Sequence, residues 1–513
     1  MEIQKTITRP HTLANRIVAS RWSWLLLLPV SALFLLLFSI STSPLFAFEG
    51  GDSAIFQEIG LATTHGKVLY RDIFDNKGPL LYWINGLGML MGGTSGILTL
   101  QIVFQTAALH YLFKIAKLFA DGLKAAAVLI LSLFCYTVFI LEGNQCEEWM
   151  LPFISMAIYV CLKFFATKQQ LPARDALLLG LCFGACFFIR PNDAAGMVGA
   201  PAFGLFLYFL YKHRGKDAWR FAACAATGAA VITVPILTYF AANHALKDLI
   251  YGLWGVNMTY TNGVTGMLHG FIADSGIWLI MSLMVCACIV ISTTHLKDAL
   301  WAIIPCAIAE TLVFGRALYY HYYISLLPIY TIVFASAFSS RNIKASLLGI
   351  LLAAFTPVAY NYRILPKKAA SLVINQPRIL GGDYTYDYGD FLHAKDSEIK
   401  QSMQDMERLA SLIPASERDS VWNYNLIEFL TCRNYFNYAF FAHNGIVQMN
   451  RMTFPLEENF DADPLSLPTP PLWIVADYGN PKTQEDTSFA SQYQLAGHME
   501  AFGGRIGLYR RKS

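Results

Sequence analysis

The sequence predicts a polytopic α-helical membrane protein with a small α/β domain at its C-terminal end. Three observations carry that prediction. The composition is 55% hydrophobic and only 14% charged, with a mean hydropathy of +0.43, whereas soluble domains carry roughly a quarter charged residues. Apolar runs near the ~20 residues that span a bilayer recur along residues 1–361. Beyond Asn361 those runs stop and short alternating segments take over.

The full-length runs centre on 23–41, 97–118, 124–141, 149–166, 175–190, 194–211, 219–241, 275–292, 299–314, 318–338 and 345–361, and a shorter one covers 79–91. Lys5, Arg9, Arg16 and Arg21 precede the first run. A signal peptide begins in this way, but no small-residue cleavage site follows, so a retained first helix is expected. Basic clusters at 5–21, Lys114/Lys117/Lys124, Lys168/Arg174, Lys212–Arg220, His295–Lys297 and Arg341/Lys344 mark the cytoplasmic side. One crossing then separates Trp22 from the 42–78 loop, and one more returns to Lys114. The run at 79–91 is therefore expected to be a re-entrant or interfacial helix.

About 11 spans place the N-terminus in the cytoplasm and the C-terminal region outside, on the side of the 42–78 loop. The expected domains are a membrane domain, 1–361, and an extracytoplasmic α/β domain, 362–513. In the latter, Asp396–Ile413 and Leu426–Cys432 read as helices, and Ser420–Asn423, Leu472–Asp477 and Arg505–Tyr509 as strands. Gly381-Gly382-Asp383 and Pro464–Pro471 read as turns and loops. Trp422, Tyr424, Tyr435 and Tyr438 read as core aromatics or as platforms for sugar rings. No fixed-period or inverted repeat is present.

Composition also excludes function classes. A net charge of +3 is too small for a nucleic-acid partner, and the basic residues follow topology. The ten cysteines lack paired spacing, and most lie in apolar runs, so neither a disulfide framework nor a zinc site is expected. No glycine-rich phosphate loop of the Walker type argues for ATP coupling.

Charge concentrates in the predicted outward loops 42–96, 142–148, 190–193, 243–274 and 315–320. Asp52, in Glu49-Gly50-Gly51-Asp52, reads as a solvated carboxylate, as a helix N-cap, or as a functional acid. Tyr70-Arg71-Asp72 and Asp75-Asn76-Lys77-Gly78-Pro79-Leu80 read as a turn before a helix with Pro near its first position, or as part of a site. Glu142, Glu147 and Glu148, in Glu142-Gly143-Asn144-Gln145-Cys146-Glu147-Glu148-Trp149, would suit the positive end of the following helix. Arg190-Pro191-Asn192-Asp193 carries the same ambiguity, and His321, beside Tyr320, sits in an aromatic belt. Their convergence on one face is the stronger signal, because ionisable groups at a membrane boundary are costly and usually functional.

Together these loops offer carboxylates, a lysine, arginines and a histidine at a mouth lined by aromatics. A carboxylate can take a proton from an acceptor hydroxyl. Lysine, arginine or a carboxylate-bound divalent ion can hold a departing phosphate. That set fits transfer of a group from a lipid phosphate at the outer membrane surface.

Gly51-Asp52, Gly66-Lys67-Val68-Leu69-Tyr70-Arg71-Asp72 and Asp75-Asn76-Lys77-Gly78-Pro79-Leu80 resemble the first loop of the dolichyl- and polyprenyl-phosphate-sugar glycosyltransferases of the GT-C fold. The Asn144–Trp149, Arg190-Pro191-Asn192 and His321-Tyr322-Tyr323 motifs resemble the same group, to about residue 361. Within it the chain looks most like the bacterial branch grouped with the protein mannosyltransferases and lipid A aminoarabinose transferases, family 39/83-like.

That resemblance implies a hexosyl- or pentosyltransferase of the cell inner (plasma) membrane, using a polyprenyl-phosphate-linked sugar. The implied acceptor is an envelope glycan, glycolipid or protein. Asp52 would be the base or orient the acceptor, with Glu147 or Glu148 as the second acid. Lys77 would contact the lipid phosphate, helped by Arg71, Arg190 or His321. Tyr70, Asp72, Asn192 and Tyr320 would meet the acceptor or sugar. Metal use varies in the group; a Mg or Mn ion would fall to Asp52 and Glu148.

Two positions depart from the pattern. Ser53 follows Asp52 where the protein mannosyltransferases have an acidic pair, and Lys77-Gly78-Pro79 replaces the Lys-Pro-Pro of the aminoarabinose transferases. Competing classes are a transporter or flippase of lipid-linked saccharide, which predicts charges within the spans, and a non-catalytic envelope assembly protein, which would tolerate loss of Asp52.

Overall fold

A computed structural model describes residues 23–47, 51–140, 142–167, 171–257, 275–313, 320–339, 347–351, 385–387, 393–424, 438–440, 470–477, 487–501 and 504–512. The described elements of the N-terminal part begin with the helices α1 (Leu27–Phe38), α2 (Asp52–Thr64), α3 (Pro79–Gly92), α4 (Thr94–Lys117), α5 (Gly122–Phe139), α6 (Cys146–Thr167) and α7 (Ala173–Phe187). There follow α8 (Pro191–Tyr211), which is π-helical over Ala194–Gly199, α9 (Gly215–Ala242), α10 (Leu246–Ile250), α11 (Ser275–Ser292), α12 (Leu300–Val313) and α13 (Leu327–Ser339). A 3-10 turn, Tyr320–Leu326, leads into α13.

Among the described residues, six segments are long and apolar enough to cross a membrane: α4, α5, α6, α8, α9 and His321–Ser339. Leu27–Phe38 and Ile280–Ser292 are shorter apolar helices. Helix α7 ends early, at Phe187, because the chain turns through Arg190 and restarts with Pro191 at the first helical position. The 14 residues of α3 reach about 21 Å at 1.5 Å per residue, short of a ~30 Å hydrocarbon core. Most of the expected run 345–361 lies outside the described residues.

Local chemistry sets the helix ends. The Asp121 carboxylate accepts the Lys124 N–H at 3.1 Å and starts α5. Pro79 opens α3 after an extended Gly78. Helices α7 and α9 approach closely because each offers a glycine. A Cβ on Gly180 would lie 1.7 Å from the Ala225 carbonyl oxygen, and one on Gly228 would lie 2.0 Å from that of Leu177. Outward, α9 presents Trp219, Val231, Val234 and Leu237. That apolar face suits hydrocarbon. The His321–Ser339 segment is instead almost wholly enclosed.

The C-terminal part holds β1 (Thr385–Asp387), β2 (His393–Lys395), α14 (Asp396–Ala410), β3 (Val421–Tyr424), β4 (Tyr438–Phe440), β5 (Trp473–Asp477), α15 (Thr487–Gln492), β6 (Tyr493–Ala501) and β7 (Gly504–Arg511). One sheet runs β4-β3-β5-β7-β6, parallel across β4, β3 and β5 and antiparallel from β5 through β7 to β6. The expected strands at 420–423, 472–477 and 505–509 are β3, β5 and β7, and the helix expected from Asp396 is α14. Strand β6 escaped sequence reading because its register shifts between Leu495 and Gly497, which breaks the period-two pattern. Trp422 and Tyr424 fall in β3 and Tyr438 opens β4, while Tyr435 and Leu426–Cys432 lie outside the described residues. The Ala47 N–H donates to the buried Asp396 carboxylate at 2.7 Å, tying the lead into α2 to the start of α14.

Candidate active site

Asp52 is the first residue of α2; the N-cap position belongs to Gly51, and no side chain of α2 caps it. Capping comes from the loop between α5 and α6. The Glu142 carboxylate accepts the Gly51 N–H at 3.0 Å and the Gln145 side-chain amide at 2.9 Å, with a further bond from the Ser53 N–H. Burial pushes the Glu142 carboxyl up to about 7, and the neighbouring Asp52 charge adds to the rise. The acid brought beside Asp52 is thus Glu142, ahead of Glu147 or Glu148.

The same loop turns through two left-handed residues, Gly143 (φ +90°) and Asn144 (φ +58°). Asn144 is fully buried. Its amide donates to Ser53 Oγ at 2.9 Å and Asn85 Oδ1 at 2.8 Å, and its oxygen accepts the Trp149 indole N–H at 2.9 Å.

Lys77 is set by the loop before α3. The Tyr70 hydroxyl donates to the Lys77 carbonyl at 2.5 Å, and the Lys77 ammonium donates to Asn76 Oδ1 at 2.7 Å. Asp75 is buried and accepts from the Tyr82 hydroxyl at 2.6 Å and the Asn76 N–H at 2.7 Å. Burial alone would lower the Lys77 pKa; the carboxylate of Asp75, with Asp52 adding, outweighs it and holds the ammonium above its ordinary value. Next to Lys77, the Gly78 N–H donates to the Ile189 carbonyl at 2.9 Å and the Leu80 N–H to that of Phe188 at 3.0 Å. A Cβ at 78 would sit 2.1 Å from the Phe188 oxygen. Glycine therefore docks the Lys77 loop onto the corner that carries Arg190.

Arg190 pairs with Glu147 from the first turn of α6 and meets Asp193 at 3.3 Å. Its guanidinium lies 3.8 Å from the Tyr322 ring centre. Asp193 also accepts from the Ser325 hydroxyl at 3.0 Å. His321 is buried with its ring perpendicular to Tyr322, 4.8 Å between centres, and feels the charges of both Arg190 and Lys77. Five separate segments thus converge: the start of α2, the Lys77 loop, the start of α6, the α7–α8 corner, and the turn before α13. Tyr320 opens that turn. Asn192 lies at the start of α8, half-buried.

Other expected residues stand apart or are already engaged. Glu148 accepts from the Gln145 N–H at 2.8 Å at the start of its own helix and from the Tyr136 hydroxyl of α5 at 3.1 Å. Arg71 binds Asp72 at 2.8 Å and donates to the Asn243 carbonyl at 2.7 Å, which anchors this pair on the end of α9. Burial would raise the Asp72 carboxyl, but the bonds from Arg71 and the Val68 N–H hold it below the usual range. Tyr70 is fully buried, at φ +69°, and stacks on Phe240 at 5.8 Å.

Among the described residues, no group of three or more His, Cys, Asp or Glu is arranged to hold a metal ion. Of the pair Asp52 and Glu148, Glu148 accepts one hydrogen bond on each oxygen, from Tyr136 and Gln145.

One acid went unread in the sequence. Glu310, in α12, is fully buried, with both oxygens lacking a hydrogen-bond partner among the described residues. It lies against Gly196 in the π-helical stretch of α8 and feels the charges of Asp193 and Arg190. A lone acid within an apolar run was the available signal.

The apolar helices describe a multi-pass membrane protein. The structure is similar to ArnT from Cupriavidus metallidurans, crystallised bound to undecaprenyl phosphate, with a TM-score of 0.55 at 12% identity over 95% of this chain and 98% of that one. It is also similar to the archaeal oligosaccharyltransferase AglB from Archaeoglobus fulgidus in complex with an inhibitory peptide and a dolichol-phosphate, with a TM-score of 0.47 at 12% identity over 92% of this chain and 71% of that one. At such identity the likeness to ArnT establishes the fold alone. The family model of the competence-induced Ccs4 N-terminal domain matches residues 15–347, and the chain belongs to that family. No curated protein matches it by sequence.

Proposed function

We propose that the protein is an integral membrane glycosyltransferase that moves a hexose or pentose from a polyprenyl-phosphate donor to a cell-envelope acceptor. The observation that carries this reading is that the loop carrying one cation, Lys77, docks on the corner carrying another, Arg190. Both are largely enclosed, both are held charged by carboxylates, and backbone bonds between the Gly78 loop and residues 188–189 hold their two segments together. Two such cations suit a phosphate leaving group. ArnT from Cupriavidus metallidurans binds undecaprenyl phosphate, which is consistent with a lipid phosphate as the ligand here.

In this reading Asp52 takes the proton of the acceptor hydroxyl. The acceptor oxygen bonds to the sugar's anomeric carbon, and the bond from that carbon to the phosphate oxygen breaks. Its electron pair goes to the phosphate, whose charge Lys77 and Arg190 offset. Glu147 orients Arg190, and Tyr70 shapes the Lys77 loop. About 11 crossings, with the N-terminus cytoplasmic and residues 362–513 outside, would place this site on the outer face of the inner (plasma) membrane.

A second reading, transport or flipping of a lipid-linked saccharide, is favoured by one observation: Glu310 lies inside the helix bundle without a hydrogen-bond partner among the described residues. The deciding experiment supplies purified protein in lipid with polyprenyl-phosphate sugars and an envelope extract, comparing the native protein with Asp52→Asn. Lipid-donor-dependent transfer that drops by about 100-fold or more in a folded variant supports the enzyme. Saccharide translocation without transfer would replace it with the transporter.

A further inference from the structure

We propose that Asn144 is a positioning residue for Asp52, acting through Ser53; the inference rests on the transferase reading above. Asn144 occupies the left-handed region at φ +58° directly after Gly143 at φ +90°. That conformation costs a non-glycine residue about 1–2 kcal/mol, although asparagine tolerates it better than most. A glycine would adopt the same turn without that cost, so the amide side chain at 144 has work beyond the turn.

That work is visible in its bonds. Trp149 Nε1 can only donate, which fixes the Asn144 oxygen towards it and turns the NH2 group towards Ser53 Oγ and Asn85 Oδ1. One buried amide thereby joins the starts of α2 and α6 to the middle of α3. Gln57 Nε2 donates to the same Ser53 hydroxyl at 3.0 Å, extending the network one turn along α2.

Ser53 is the residue after Asp52, and Gly51, the residue before it, gives its N–H to Glu142. The backbone on both sides of Asp52 is therefore held by one short turn, residues 142–145. The same turn leads directly into Glu147, the partner of Arg190. Asn144 thus sets the spacing between the acid at the head of α2 and the cations that face the phosphate. A misplacement of about 1 Å at such a site can cost roughly 100-fold in rate.

The test compares Asn144→Gly, which keeps the turn and removes the amide, with Ser53→Ala and the double variant. Donor-dependent transfer and amide hydrogen exchange are both measured on the full chain in lipid. Asn144→Gly is expected to lower kcat by about 10- to 100-fold while the donor KM stays within about two-fold. The double variant is expected to lose no more than about two-fold beyond the larger single loss, because both changes break one linkage. Exchange protection of residues 53–57 should fall in Asn144→Gly. Native kcat in that variant, or fully multiplicative losses with Ser53→Ala, overturns the inference. If the native protein transfers no sugar, the transferase reading fails instead. Unchanged protection of 53–57 then removes the positioning role as well.

Discussion

Glu142 accepts the backbone N–H of Gly51 at 3.0 Å, so the acid of one loop caps the helix that begins with Asp52 in another. Two carboxyls are thereby neighbours at the edge of the helix bundle, one enclosed and one half-exposed.

This pair makes stability depend on pH. The Glu142 carboxyl stands at about 7 against an ordinary value of 4.5, raised by burial and then by Asp52. Its folded-state value is raised, so the folded chain holds a proton that the unfolded chain has released between those limits. The stabilisation is complete below pH 4.5 and is lost as pH rises to about 7. The change is on the order of 3 kcal/mol at most. Unfolding in detergent, followed from pH 4.5 to 8, should show that decline in the native protein and a flatter curve in Glu142→Gln. Identical curves would remove Glu142 as the cause.

Lys77 carries a charge that burial opposes and carboxylates restore. Replacing it by methionine removes a charge-assisted hydrogen bond worth about 1.5–3 kcal/mol. Binding of polyprenyl phosphate should weaken by roughly 10- to 100-fold, with expression and folding retained. Titration of the lipid phosphate into the two proteins measures this directly, and equal affinities would take Lys77 out of the phosphate site.

Gly78 meets the Phe188 carbonyl so closely that a methyl group would lie 2.1 Å from the oxygen. The obstacle is backbone, which cannot swing aside as a side-chain end can. Gly78→Ala should cost about 2 kcal/mol or more in stability, and transfer should fall with it as the Lys77 loop lifts away from Arg190. A variant with native melting temperature and native transfer would contradict the tight docking of residues 78–80 on 188–189.

Glu310 has no hydrogen-bond partner among the described residues. Such a group costs about 1–3 kcal/mol, so Glu310→Met should raise the melting temperature while lipid-donor-dependent transfer persists. Loss of transfer in a stable variant would bring Glu310 into the chemistry instead. Loss of saccharide translocation would favour the transporter.

Much of this was legible in the sequence. The helical membrane architecture follows from run length and hydropathy, and Pro191, Pro79 and the acids at Glu147 and Glu148 each sit at the helix starts where residue chemistry puts them. Strands β3, β5 and β7 were readable from their apolar alternation, while β6 was hidden by its bulge. The partners of the charged residues were less accessible. Arg71 and Lys77 look alike in sequence, yet Arg71 is bound to Asp72 and the end of α9, whereas Lys77 faces Asp75 and Asp52. Glu142 and Glu148 look equivalent, yet one caps α2 and the other its own helix α6.

By itself the sequence determined the solvent each segment prefers, because transfer of apolar side chains from water is additive along a run and needs no partner. It likewise determined which residues could carry charge. The tertiary structure alone decided which carboxylate stands beside Asp52, which acids pair with Arg190, and which acid is buried against the π-helical stretch of α8. Those outcomes depend on distances between residues far apart in the chain, and electrostatic and hydrogen-bonding energies change with every ångström of separation.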